Sequence, residues 1–267
     1  MLDVGAIVAV VNQKGGVGKT TVVLGLAAAA QARGDRVLVV DADPQANATW
    51  ALGLEPESVA FGTSEAVAAD RVGAARRGVV EAGWGAEVDV LAASGSLLDR
   101  EVEVGRNRSA KRLARALEGV ADDYELVLVD CSPALGPLTT NALAAAHLAL
   151  LVVEPAALSA RGIANVSDLI DAVWEQHNPG LDIAGVIVNR VPPVSHEADR
   201  QRDLLARMLG RKTVWEPEIP QRVVITEALA ERRPIHALGA RSASVSVLFD
   251  EHYRRLRTLG RKTIRST

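Results

Sequence analysis

Gln13-Lys14-Gly15-Gly16-Val17-Gly18-Lys19-Thr20-Thr21 is the stretch on which the reading of this 267-residue chain turns. It follows a continuous apolar run, Ala6–Val11 (AIVAVV), and precedes an alanine- and leucine-rich stretch over residues 21–33. An unbroken apolar run suits a strand buried on both faces. The stretch after the loop reads as a helix, with Gly34 where a left-handed C-terminal cap is expected. Strand, glycine-rich loop and helix N-terminus in that order form a phosphate cradle. Glycines let the backbone curl so that successive N–H groups point at phosphate oxygens, and the helix adds the positive end of its dipole. Lys19 is placed to reach the β- and γ-phosphates, and the Thr20 hydroxyl to ligate Mg²⁺.

Outward from the loop, short apolar runs alternate with helix-like stretches. Strands are expected at 36–40, 88–92, 126–129, Leu148–Val153 and 183–188, and helices at 109–117, 166–173 and 247–259. Such alternation predicts an α/β fold, a doubly wound, mostly parallel twisted sheet with helices on both faces. No linker or repeat divides it, so a single domain over residues 1–267 is expected. The strand at 36–40 delivers Asp41 and Asp43 at its C-terminal end, and the strand at 126–129 delivers Asp130.

Composition narrows the class. Hydrophobic residues make up 48% of the chain, enough for a sizeable core, yet no run of eighteen apolar residues occurs. Residues 1–5 lack the pattern of a secretory signal, and a lone cysteine, Cys131, fits a reducing cytosol, so a cytoplasmic protein is expected. The net charge of −3 hides an asymmetry: residues 1–189 hold 14 basic and 24 acidic residues, residues 190–267 hold 16 and 9. That contrast suggests a polyanion-binding surface near the C-terminal end, or else helix faces with locally paired charges.

The loop departs from the usual G-x-x-x-x-G-K-[ST] pattern, with Gln13 at the first glycine position and a second lysine, Lys14, opening it. The K-G-G-V-G-K-T-T form resembles the deviant Walker ATPases of the ParA/MinD type, and the likeness runs on. Asp41-Ala42-Asp43-Pro44-Gln45-Ala46-Asn47-Ala48-Thr49 is similar to that family's D-x-D-P-Q-x-N-x-T segment. Residues 124–143 (YELVLVDCSPALGPLTTNAL) resemble its second switch, and residues 214–228 its late nucleotide-side loop and following helix.

The resemblance implies a P-loop NTPase fold and a weak intrinsic ATPase using ATP and Mg²⁺. Gly15, Gly16, Val17, Gly18, Lys19, Thr20 and Thr21 would hold the phosphates. Asp130 suits water-mediated Mg²⁺ ligation, since Mg²⁺ usually keeps several waters. Asp43 resembles the residue that orients the attacking water, near the same metal as Thr20 and Asp130. By resemblance, Lys14 crosses a two-fold interface to the partner's phosphates, which makes hydrolysis depend on a homodimer. Asn189 and Arg190 would read adenine, with the 217–220 loop and Pro220 closing over the base. One cysteine excludes the related nitrogenase iron protein, and two tyrosines discount a bacterial tyrosine kinase.

The role implied is that of a ParA-like ATPase segregating a plasmid or chromosome, with nonspecific DNA and a ParB-like or other adaptor as partners, associated with the nucleoid. The alternatives are a MinD-like membrane switch and a ParA-like ATPase positioning a protein cargo. A membrane partner is disfavoured, because residues 254–267 offer only Leu256, Leu259 and Ile264 as sizeable apolar groups. Because the first strand begins at Ala6, the likeness is to forms without a helix-turn-helix extension, and operator-specific repression is not expected. The late loop departs from I-P-R-N-V-R-L-S-E-A: Gln221 and Val224 stand at both arginine positions and Arg222 at the asparagine. A shifted or weak DNA surface is implied, drawing on Arg222, Arg232, Arg233, Arg241, Arg254, Arg255 and Arg257.

Overall fold

The computed structural model describes residues 5–107, 109–155, 160–193 and 196–266, so most of the segment expected to lack a signal, residues 1–4, lies outside it. Eight strands form one sheet in the order β3-β4-β2-β5-β1-β6-β7-β8. These are β1 (Ala6–Val11), β2 (Val37–Ala42), β3 (Val79–Glu81), β4 (Val88–Leu91), β5 (Leu126–Cys131), β6 (Leu148–Val153), β7 (Asp182–Val188) and β8 (Val214–Trp215). Every pairing is parallel except β3 with β4.

The period of two along the central strands explains the two layers. Ile7, Ala9 and Val11 enter one core with Leu38 and Val40, while Ala6, Val8 and Val10 enter the other with Val37 and Val39. Successive side chains of a strand point to opposite faces, so a strand covered on both sides must be apolar throughout. The first layer is built by α3 (Thr63–Ala69), α4 (Leu97–Asn107), α5 (Arg112–Leu117), α6 (Pro137–Ala145), α7 (Ala160–Gln176) and α8 (His196–Leu209). The second is built by α1 (Lys19–Ala32), α2 (Asn47–Ala51), α9 (Val223–Ala230) and α10 (Ala243–Ser266).

α1 lies between the sheet and α10, and its small residues make that possible. Ala27–Ala30 are fully buried, and a Cβ at Gly25 would collide with the Phe249 ring. Gly34 takes the expected left-handed conformation at φ 71°, its N–H donating to the Gln31 carbonyl at 2.9 Å.

Much of the basic C-terminal charge is committed inside the fold. Arg257 Nε and Arg261 Nε donate to Glu125 Oε1 at 2.7 and 2.8 Å, and Arg257 also pairs with Asp35. Arg232 donates to the Trp50 and Leu54 carbonyls and to Glu55, while Arg233 and Arg241 pair with Glu231 and Glu227. Arg254 donates to the Asp250 carbonyl, and Arg255 lies over the Trp215 ring. Of the seven arginines expected to face DNA, Arg222 alone, among the described residues, is exposed with no such commitment. Part of the charge asymmetry is therefore the imprint of pairing between the two halves of the chain, through Arg232, Arg257 and Arg261, and part is paired within the C-terminal half or set on carbonyls and rings.

His252 of α10 is fully buried and stacks on Trp215 with ring centroids 5.7 Å apart. Burial pushes its pKa down from 6.5 to about 4. Between those values the unfolded chain binds a proton that the folded chain refuses, so stability falls as pH drops across this window. The loss is of the order of 3 kcal/mol at most. Urea midpoints at pH 7 and pH 4.5 should show it, and His252→Phe, which keeps the stack, should flatten the dependence.

Candidate nucleotide site

The site lies past the C-terminal ends of β1, β2 and β5, where open α/β sheets place their ligands. The loop after β1 is pinned from below. Asn12 Nδ2 donates to the Val152 carbonyl at 2.6 Å, and its Oδ1 accepts the Lys14 N–H at 3.0 Å. Gly18 ends the loop at φ 90°, a conformation an L-residue resists, and a Cβ there would run into the Asn189 amide. Asn189 Nδ2 in turn donates to the Val17 carbonyl at 2.9 Å, so this asparagine braces the loop from the end of β7.

Above the loop is a cavity of about 420 Å³ lined by Gly15, Gly16, Gly18, Lys19, Thr20, Thr21, Asp43 and Arg190, with Trp50, Pro133 and Leu229 on its walls. Thr21, Asn189, Arg190 and Pro220 also line an adjoining pocket of about 250 Å³. The residues expected to hold phosphate and those expected to hold a base are thus contiguous. Two sit apart from the cavity wall: Val17 is buried beneath the loop, and Lys14 is exposed on the surface without an ion pair among the described residues.

The floor carries the electrostatics. Asp41 and Asp130 are register partners on neighbouring strands, and Asp43 follows two residues on. Asp130 is 1% exposed, and neither of its carboxylate oxygens has a well-formed hydrogen-bond partner, although the Thr20 hydroxyl and Lys19 lie beside it. Burial, then the Asp41 charge, pushes its pKa up to about 8. Lys19 is itself 6% exposed, donating to the Asn12 carbonyl at 3.4 Å; burial lowers its pKa and Asp130 opposes that. A bare buried carboxylate is costly unless a cation or its hydration shell completes it. Among the described residues no three His, Cys, Asp or Glu groups form a metal cage. A few protein oxygens under a phosphate cradle suit Mg²⁺, which keeps waters and binds through substrate phosphates.

The AAA domain family matches residues 5–183. Sporulation initiation inhibitor protein Soj of Bacillus subtilis is 33% identical over 249 residues, covering 92% of this chain and 96% of its own. Chromosome partitioning protein ParA of Myxococcus xanthus is 33% identical over 236 residues, 87% of this chain and 81% of its own. The structure of cobyrinic acid a,c-diamide synthase from Mycobacterium smegmatis with bound ADP and magnesium superposes at a TM-score of 0.77. It shares 27% identity and covers 94% of this chain and 93% of that one. The chain belongs to the ParA/MinD-type P-loop ATPases. It is an ATPase, and ATP with Mg²⁺ is what its cradle serves.

Three contributors were given no role from the sequence, although Asp41 was placed at its strand end. Asn12 anchors the loop's start. Trp50 forms an outer wall, with Arg232 5.1 Å from its ring. Asp41 is the least conspicuous: fully buried, it accepts the Thr49 N–H and hydroxyl at 2.8 and 2.7 Å and the Asp43 N–H at 3.1 Å. Burial holds its pKa up at about 6. The Thr49 oxygen then accepts the Ala93 N–H at 2.8 Å, so one chain of bonds ties β2, α2 and the end of β4. A D-x-D pair signals two acids but not which one is structural. Thr49→Val keeps the shape and removes the oxygen, leaving Ala93 N–H unpaired. A loss of about 1–3 kcal/mol is expected in the urea midpoint.

Proposed function

We infer that this chain is a ParA-like ATPase of one domain, residues 1–267, that pairs as an ATP-bound homodimer to segregate or position DNA. The observation that carries the ATP switch is the bare Asp130 carboxylate beneath the glycine loop, beside buried Lys19. Support for the role comes from relatives named for chromosome partitioning and from the exposed, unpaired Lys14 on the same loop.

Each residue then has a task. The 15–21 backbone and Lys19 neutralise the phosphates, and Thr20 with Asp130 would hold the metal. When bound, Mg²⁺ would polarise the phosphate oxygens and stabilise the charge that develops on them. Asp43 Oδ1 accepts the Gln45 N–H at 2.9 Å, which fixes the carboxylate and leaves Oδ2 to orient water in line with the γ-phosphorus. The water oxygen bonds to phosphorus as the bond to the β–γ bridging oxygen breaks, the electron pair leaving with ADP. Lys14 of each protomer reaches the partner's phosphates, as an arginine finger does. The adenine lies in the adjoining pocket between Thr21, Arg190 and Pro220, with Asn189 at its base.

DNA is bound nonspecifically, with Arg222, exposed and without an ion pair among the described residues, one arginine able to meet phosphate, and a ParB-like adaptor stimulates turnover; the protein is then cytoplasmic and nucleoid-associated. The membrane reading is the weaker one. Among the described residues no helix is long and apolar enough to cross a membrane, and α10 turns Leu256, Leu259 and Ile264 towards the core.

Two experiments test this. Lys14→Ala should keep the wild-type melting temperature yet lose ATP-dependent dimerisation by light scattering and at least tenfold of turnover. A variant with normal turnover removes the in-trans role. Filter binding to unrelated duplex DNA with ATP should weaken linearly in log–log salt plots, at a slope of about −0.9 per phosphate contacted. Salt-independent or absent binding, with a protein cargo or liposomes retained instead, contradicts the DNA role.

A further inference from the structure

The cavity described above is completed by two loops, one carrying Asp43 after β2 and one running from Asp130 to α6. Neither is held by the sheet alone. A small cluster of Ala46, Ala93, Leu97 and Leu138 packs between them, contributed by the first loop, the end of β4, α4 and α6. α4 is thus the element that touches both.

On α4, Glu103 makes ordinary ion pairs with Arg100 and Arg112. Glu101 does not; among the described residues it has no cationic partner, although it is partly buried. Its carboxylate lies instead at the N-terminus of α6, against the Gly136 Cα, where a Cβ would collide with Oε1. Burial pushes its pKa up, the Leu138 N–H beside it opposes that, and the Asp43 charge adds to the rise. α6 needs such a partner. Its N-cap is Gly136 and its first residue Pro137, so no side chain of its own caps the exposed N–H groups. The Glu101 carboxylate, set against this end of the helix from α4, meets the positive end of the dipole beside the Leu138 N–H.

We propose that Glu101 is a positioning residue for ATP hydrolysis, capping α6 from α4 so that the Asp130 loop and the Asp43 loop keep their catalytic spacing. This rests on the roles proposed above for Asp43 and Asp130. It also explains why position 136 is glycine: at φ −101° no special backbone is required, only room for the carboxylate.

The test compares Glu101→Ala, Glu101→Gln and Gly136→Ala in steady-state turnover with Mg-ATP, alongside melting temperatures. Glu101→Ala should lower kcat about tenfold with KM changed less than twofold, since the glycine cradle and Lys19 are untouched. Glu101→Gln keeps an acceptor oxygen and should restore at least half of the turnover. Gly136→Ala, with Glu101 intact but displaced, should reproduce the loss, and it carries the test if the Glu101→Ala protein does not fold. Turnover within twofold of wild type in Glu101→Ala or Gly136→Ala overturns the proposal. So does a Glu101→Gln protein as slow as Glu101→Ala. An inert wild type overturns instead the site roles on which it stands.

Discussion

The structure depends on one buried carboxyl group that the protein does not fully pair. Asp130 is buried at the end of a central strand with neither oxygen well bonded, beside a lysine that is also nearly buried. Two desolvated groups this close are held in place by the fold around them and completed only by what enters the cavity. The surrounding architecture is arranged to keep that carboxylate bare. β1 and β2 flank β5, the glycine loop arches over the gap, and Asn12 and Asn189 brace the loop from two different strands. Asp41 stands opposite Asp130 in the register and is prevented from competing by its bonds to Thr49 and Asp43. One acid is thereby structural, which leaves its neighbours for the roles proposed for them.

The central sheet was legible because burial on both faces removes the polar alternation that makes other strands ambiguous. Ala6–Val11 and Leu148–Val153 run as expected, and 126–129 extends by two residues into the acid and cysteine that end it. The edges were not legible. β8 is two residues, Val214–Trp215, and β3 three, too short to show a period, and they depend on pairing with strands far along the chain. α4 and α8 were missed for another reason. Their sequences are so charged that apolar residues are few, even though those few fall on one helix face, and α4 becomes a helix of consequence only through Leu97, Val104 and Glu101 meeting distant partners.

The site shows the same division. The glycines, Lys19, Thr20 and the strand-end acids announce themselves by type and spacing, because phosphate chemistry demands those groups locally. Asn12, Thr49 and Trp50 do not, since their roles are bonds and contacts to segments 44 to 182 residues away. The basic C-terminal segment teaches the converse lesson. Counting charge in one dimension suggested a polyanion surface, yet Arg232, Arg257 and Arg261 reach acids far along the chain. Net charge describes association and solubility, and it does not say which cations remain free.

The central claim is that Asp130 and Lys19 wait for a metal-bound polyphosphate. Calorimetric titration of the chain with ATP, once with Mg²⁺ and once with a chelator, tests it most directly. Saturable binding of one nucleotide per chain that weakens at least tenfold without Mg²⁺ and disappears in Lys19→Ala is the predicted result. Equal affinity with and without the metal, or no saturable heat at all, contradicts it.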